Sequence, residues 1–179
     1  HLVNAHYYIR PEHVRIFSPE ELAPLSPHVP PEDKHIEVRL DAQAVVAFEG
    51  DEMVWWARTA TGKGEFATPT GVFRTYHKRP AAHMVGGDGS SSFFDLPGIP
   101  FASYIDENGV SFHGTYWHND YGAPRSHGCI NLTPADARWL YRWTLPVVPI
   151  EARFLYEPSQ GTVVRILEVT RPTPFRRST

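Results

Sequence analysis

FHGTYWHNDYGAPRSHGCINL, from Phe112 to Leu132, holds the one cysteine of a 179-residue chain. Cys129 stands between Gly128 and Ile130, behind Ser126 and His127, and His113 lies sixteen residues upstream. A thiol becomes a good nucleophile when a neighbour stabilises its thiolate or takes its proton. A sole thiol in a Gly-flanked turn with two histidines near it meets that need. On an extended backbone His127 would share a face with the thiol. His113 belongs to a different strand, where a rigid scaffold can aim it at sulfur as a base. Gly128 lets the backbone close on a substrate carbonyl, and the amides of Gly128 and Cys129 are candidates for an oxyanion hole.

Working outward, Phe101–Ile105 and Val110–His113 read as paired strands across Asp106-Glu107-Asn108-Gly109, whose Asn-Gly is a strong turn signal. Val110 and Phe112 share one face of the second strand and Ser111 and His113 the other, so His113 is expected to point away from the apolar partners. After the cysteine, Thr133 as N-cap, Pro134 at the first helical position and Asp136 three residues beyond the cap predict a helix. Trp139, Leu140 and Trp143 give it an apolar face.

Upstream, HIEVRL alternates with the two-residue period of a half-buried strand. AVVAF and EMVWWA flank Glu49-Gly50-Asp51 as a hairpin, and GVFRTY is a further strand. Glycines and Pro69 make a loop of TATGKGEFATPTG. The Gly/Ser/Pro-rich segment Lys78–Pro100 reads as a mobile surface loop. It lacks the Lys-Ser/Thr ending of a phosphate-binding loop, which argues against nucleotide binding. GTVVRILE closes the series of strands. Residues 1–34 read as the end of a preceding module that resembles an SH3-like repeat, followed by a Pro-rich linker; an ordered arm is the alternative. Residues 169–179 form a basic tail.

Composition excludes several classes of function. Thirteen Gly, seventeen Pro and 13% aromatic residues favour a β-rich fold over a helical bundle. A net charge of −3 gives no broad basic surface, so nucleic acid is not an expected partner. No apolar run approaches the ~20 residues that span a bilayer, so the chain is not expected to be transmembrane. No charged-then-apolar leader opens the chain at His1, and a targeting signal is expected to have been removed or to lie upstream. A zinc site from His113, His118, His127 and Cys129 has suitable residue types, but the spacing lacks the paired ligands of such sites.

SHGCIN, with a His-Gly twelve residues before the serine, resembles the signature of the L,D-transpeptidase (YkuD-type) catalytic domain. The likeness runs from about residue 35 to 168: the opening hairpins, the Thr-Gly…Thr-Pro-Thr-Gly loop, the helix after the cysteine and the last strand are all similar to the family's. It implies a mainly β fold, a sandwich or barrel of mixed sheets with one short helix after the cysteine. It also implies Cys129 as nucleophile and His113 as general base, with His127 and Gly128 shaping the site. Ser126 and Asn131 would hold the loop or touch substrate, Asn131 standing where many members have Arg. Tyr116, Trp117 and Tyr121, between the halves of the motif, are expected to line or cover the cleft, and Leu145–Gln160 to shape an edge of it. The implied partners are peptidoglycan stem peptides and, as inhibitors, carbapenem-type β-lactams. The implied reaction cross-links stems outside the cytoplasm, in the periplasm or wall, through a Cys129 thioester and without metal or other cofactor. An L,D-carboxypeptidase and a catalytically silent wall-binding module are the alternatives.

Overall fold

The computed structural model describes residue 10, residues 15–87 and residues 93–168. Along these run strands β1 (Lys34–Arg39), β2 (Ala44–Glu49), β3 (Glu52–Arg58), β4 (Gly71–Arg74), β5 (His77–Gly86), β6 (Phe94–Tyr104), β7 (Ser111–Gly114), β8 (Ile130–Leu132), β9 (Leu155–Tyr156) and β10 (Val163–Leu167). Helix α1 spans Pro19–Leu22 and α2 spans Pro134–Trp143. The strands form two five-stranded sheets, ordered β3-β2-β1-β10-β4 and β8-β7-β6-β5-β9. Each is mixed: β1 lies parallel to β10 and β7 parallel to β8, the other pairs being antiparallel. The mainly β architecture and the helix after the cysteine are as the sequence implied.

The alternation in HIEVRL places Ile36 and Val38 in the core, where they meet Val164 and Ile166 of β10. Phe112, Ile130 and Leu132 of the second sheet close the same core with Leu140 and Trp143 of α2. Thr133 caps α2, its hydroxyl accepting from Asp136 N at 3.1 Å and donating to the Asp136 carboxylate at 2.6 Å. At the other end, the fully buried Lys78 Nζ donates to the carbonyls of Tyr141, Thr144 and Pro146 at 2.6, 2.7 and 2.8 Å. Three N–H donors thus meet three carbonyls at the negative end of the helix.

Two expectations change. The Lys78–Pro100 segment is mostly the hairpin β5–β6, with Met84 opposite Leu96 and Gly86 opposite Phe94. Its Gly/Ser tip lies within residues 88–92, outside the described residues. The flanks pair because Ala82, Ile99 and Ala102 form a second small core with Met84, Leu96 and Tyr104. Second, residues 15–33 are an arm packed on the domain instead of an extended linker. Ser18 and Glu21 close a capping box on α1. Phe17 meets Phe101 edge-on at 5.4 Å, and Leu22 and Leu25 reach the main core. Arg142 Nε donates to Ala23 O at 2.7 Å and Leu25 N to Arg142 O at 3.1 Å. The prolines prevent a long helix, but the apolar residues between them still find a surface. Residues 1–9 and 11–14 and the tail 169–179 lie outside the described residues.

Replacing Lys78 by Met should lower stability in urea by about 3 kcal/mol, because buried carbonyls lose their donors without regaining water. Stability equal to the parent would show that the ammonium is not what closes the helix.

Candidate active site

The site is built on the parallel pair β7–β8, in which Phe112 faces Ile130 and His113 faces Asn131. Cys129 immediately precedes β8, and side chains two apart on a strand share a face. Cys129 and Asn131 therefore point the same way, with Ser111 and His113 alongside on the neighbouring strand. Ser111 Oγ lies 3.6 Å from the Cys129 sulfur, which also donates to Gly109 O at 3.6 Å. No hydrogen bond joins the thiol to His113 in this resting arrangement.

His113 does not sit on an exposed polar face. All four residues of β7 are buried, because α2 packs on this strand while β6 and β8 flank it. Its Nδ1 is 3.2 Å from Gly114 O, and a carbonyl can only accept, so Nδ1 carries the proton and Nε2 keeps its lone pair. Trp117 stacks on the ring at 5.9 Å. Burial pushes the His113 pKa down to about 4, and the Gly114 carbonyl opposes this only in part. Burial also raises the pKa of Cys129, against the hydroxyl and backbone of Ser111. Both shifts favour the same resting pair, a neutral thiol and a neutral imidazole.

Two glycines of the motif have steric reasons. Gly128 adopts φ +108°, a region closed to most side chains. A Cβ on Gly114 would lie 2.8 Å from Pro100 Cγ and 3.0 Å from Pro134 Cα, so the hairpin and α2 could not both approach. The Gly128 N–H donates to Ser126 Oγ at 3.1 Å, which leaves the Cys129 amide as the oxyanion candidate. Ser126 Oγ also donates to Cys129 O at 2.6 Å, the loop-holding role expected of it. The Thr-Pro-Thr-Gly loop reaches the same turn: Thr68 Oγ1 accepts from Gly62 N and donates to Gly128 O, both at 2.8 Å.

A cleft of about 870 Å³ opens over these residues. Cys129, His113, His127, Ser126, Asn131, Trp117 and Tyr121 all line it. Gly128 and Tyr116 do not; Tyr116 instead donates to Pro97 O at 2.6 Å and ties the loop to the hairpin. The His127 ring packs 4.6 Å from Phe66 and 5.4 Å from Phe94. No residue of Leu145–Gln160 lines the cleft, contrary to expectation: Leu155–Tyr156 pairs with β5 at the sheet edge.

Other lining residues carried no motif of their own. Met84, Phe94, Leu96 and Ile99 of β5–β6 make an apolar wall. Arg58, Lys63 and Arg125 lie along the cleft as well. Arg125 pairs with Asp120 at 2.6 Å, whereas Arg58 and Lys63 have no ion-pair partner among the described residues. The Gly-Lys of TATGKGEF was the available signal for Lys63. His118 lies with Nε2 2.9 Å from the Asn131 amide.

Because Cys129 is the sole cysteine, its alkylation can be followed alone. The rate with iodoacetamide should keep climbing as pH rises through about 9, since the raised pKa delays thiolate formation. A rate already level between about pH 5 and 8 would mean a preformed ion pair. Stability should also fall as pH drops from 6.5 towards 4, because the unfolded chain protonates His113 there and the folded one does not. His113→Gln should flatten that part of the urea-midpoint profile; an unchanged slope would remove His113 as its source.

The model of the L,D-transpeptidase catalytic domain family (YkuD) matches residues 33–166. Solved structures with the same fold include an L,D-transpeptidase from Mycobacterium smegmatis, 25% identical, with TM-score 0.63, covering 75% of this chain and 58% of that one. The catalytic domain of the Enterococcus faecium L,D-transpeptidase is 27% identical with TM-score 0.59, covering 76% of this chain and 98% of that domain. A cysteine-to-serine variant of the E. faecium enzyme is 26% identical with TM-score 0.61, over 75% of this chain and 50% of that one. The chain thus spans between a half and three-fifths of the first of these solved proteins. No curated protein matches it in sequence. With a family model matched over most of its length and a shared fold, the chain belongs to the L,D-transpeptidase catalytic domain family.

Proposed function

We propose that this domain cross-links peptidoglycan outside the cytoplasm through a thioester on Cys129. What carries the reading is the β7–β8 register, which gathers a thiol and an imidazole with a free Nε2 lone pair on one cleft floor. The donor is a tetrapeptide stem, cut between its third residue, a diamino acid, and the terminal D-Ala. His113 Nε2 takes the Cys129 proton as sulfur attacks the carbonyl carbon. The C–S bond forms and the carbonyl oxygen becomes an oxyanion facing the Cys129 amide. The oxyanion collapses, the C–N bond breaks, and His113 returns the proton to the departing amine. An amine of a second stem then attacks the thioester while His113 accepts its proton, and the thiol is released with that proton. A neutral base suits this sequence, since an imidazole protonated at rest could not accept.

The cleft's charge supports an anionic donor. In a chain of net charge −3, Arg58 and Lys63 line this cleft without ion-pair partners among the described residues. We assign them to the free carboxylates of the stem. β-Lactams fit the same chemistry as acylating agents: one relative, 26% identical, is known as a carbamoyl enzyme formed with avibactam. A carbapenem is expected to acylate Cys129.

Cys129→Ala should abolish the mass increase on incubation with a stem or a carbapenem; labelling at the parental level would refute the assignment. His113→Ala should slow acylation by roughly 10²–10⁴-fold and His127→Ala by less. The reverse order would exchange their roles. Donor incubated with an acceptor amine should give cross-linked dimer; release of tripeptide alone would make the domain a carboxypeptidase. Arg58→Gln with Lys63→Gln should raise KM for a stem with free carboxylates and leave its carboxamide unaffected. Equal effects on both would remove the carboxylate assignment.

A further inference from the structure

His118 stands in the loop between the two halves of the motif and is bonded on both sides of its ring. The Asp120 backbone N–H donates to Nδ1 at 3.2 Å, and the Asn131 side-chain amide lies 2.9 Å from Nε2. Burial, aided by Arg125, lowers the ring's pKa although Asp120 raises it, so the ring is neutral at neutral pH. A neutral ring that accepts at Nδ1 carries its proton on Nε2. That Nε2–H must donate, and of the amide only the oxygen can accept.

This decides between the two orientations of the Asn131 amide, which are nearly equal in shape. With nitrogen towards the ring, two N–H groups oppose each other and Asn131 Oδ1 is buried with no partner. With oxygen towards the ring, Nε2–H donates to Oδ1. The NH2 group then takes the place where an oxygen found no donor. Asn131 is only 2% exposed, lines the cleft and pairs in register with His113.

We propose that His118 is a positioning residue: its Nε2–H holds the Asn131 oxygen and thereby presents the amide NH2 in the cleft as donor to a carbonyl or carboxylate oxygen of the bound stem. The proposal rests on the cleft being the donor-stem site. It gives Asn131, where many members of the family have the cationic Arg, a neutral donor in a fixed direction. Without His118 the amide can turn its oxygen towards the substrate, and the contact becomes repulsive.

The test has an arm that needs no turnover. Long-range 1H–15N spectra of the free protein should show His118 as the Nε2–H tautomer, and in His118→Gln the Asn131 amide should keep its shift. An Nδ1–H tautomer overturns the proposal. Kinetically, His118→Leu should raise KM for the donor stem about tenfold, the order expected for one hydrogen bond, with kcat nearly unchanged. His118→Gln, which keeps an N–H donor, should recover most of that loss. Asn131→Asp keeps the acceptor for His118 but loses the NH2, and should raise KM by at least as much. The double variant His118→Leu/Asn131→Asp should then be no worse than Asn131→Asp alone. Additive losses, or a KM unmoved in His118→Leu while acylation of Cys129 proceeds, overturn the proposal and leave the acyl-transfer reading standing. A parent protein that forms no thioester with stem or carbapenem overturns that reading, and with it the stem as ligand, while the spectra still decide the His118–Asn131 bond.

Discussion

Two short parallel strands next to each other in one sheet cannot be joined by a tight turn; the chain must leave one end and return to the other. Here β7 ends at Gly114 and β8 begins at Ile130, and the crossover between them carries Cys129 and much of the cleft's lining. Parallel pairing sets His113 beside Asn131, with Cys129 one step before, while the intervening loop becomes a wall of the cleft. The strands hold few ladder bonds of their own, so the loop is pinned elsewhere. Gly122 N donates to Thr59 O, Arg125 N and Ser126 N to Thr61 O, and Lys63 N to Ser126 O. The Thr68 hydroxyl completes the brace at Gly128. A site on a loop is thereby held nearly as firmly as one on a strand.

The electrostatics follow from the same burial. A thiol and an imidazole taken from water both resist charge, and no opposite charge beside them compensates: the His113 proton is held by a neutral carbonyl, and the thiol by a neutral hydroxyl and carbonyl. Rest and reaction therefore differ in charge distribution. The ground state is neutral, while in the acyl transfer proposed above the transition state develops an imidazolium and an oxyanion close together. Fixed amide dipoles stabilise that pair most effectively where water is excluded. On that proposal, substrate creates the charge as it arrives.

Much of this was legible in the sequence. HIEVRL, the Glu49-Gly50-Asp51 turn and the Thr133-Pro134 cap each carry local signals strong enough to place an element. The cysteine motif pointed to the candidate site, and Ser126, His127 and Cys129 all line the cleft. Long-range partnerships were not legible. The glycines and serines near the tip of β5–β6 masked a hairpin whose pairing rests on Ala82, Ile99 and Ala102, three residues with no distinctive pattern. The prolines before residue 34 read as a linker because docking of Phe17, Leu22 and Leu25 depends on a surface built by α2 and β6, far along the chain. Period-two alternation put His113 on a polar face, but alternation says nothing of what covers that face. The bond of His118 to Asn131 leaves no sequence signal, because the two stand thirteen residues apart on different elements.

The cleft's two walls have different origins, and this bears on what can occupy it. The floor belongs to the main core, whereas Met84, Leu96 and Ile99 belong to the small cluster on the hairpin. The apolar wall therefore packs as a unit distinct from the floor that carries Cys129, with Tyr116 bonded to Pro97 as one tie between them. Arg58 and Lys63 stand along the same cleft, on the chain that pins the crossover loop. An occupant that satisfies both walls is an extended chain with carboxylates on one side and aliphatic groups on the other. A branched peptide stem has that character, and a uniformly apolar or uniformly charged ligand does not. If the cleft takes the stem as proposed, specificity comes from pairing a cationic loop with an apolar hairpin, and the thiol and imidazole beneath them set only which bond is broken.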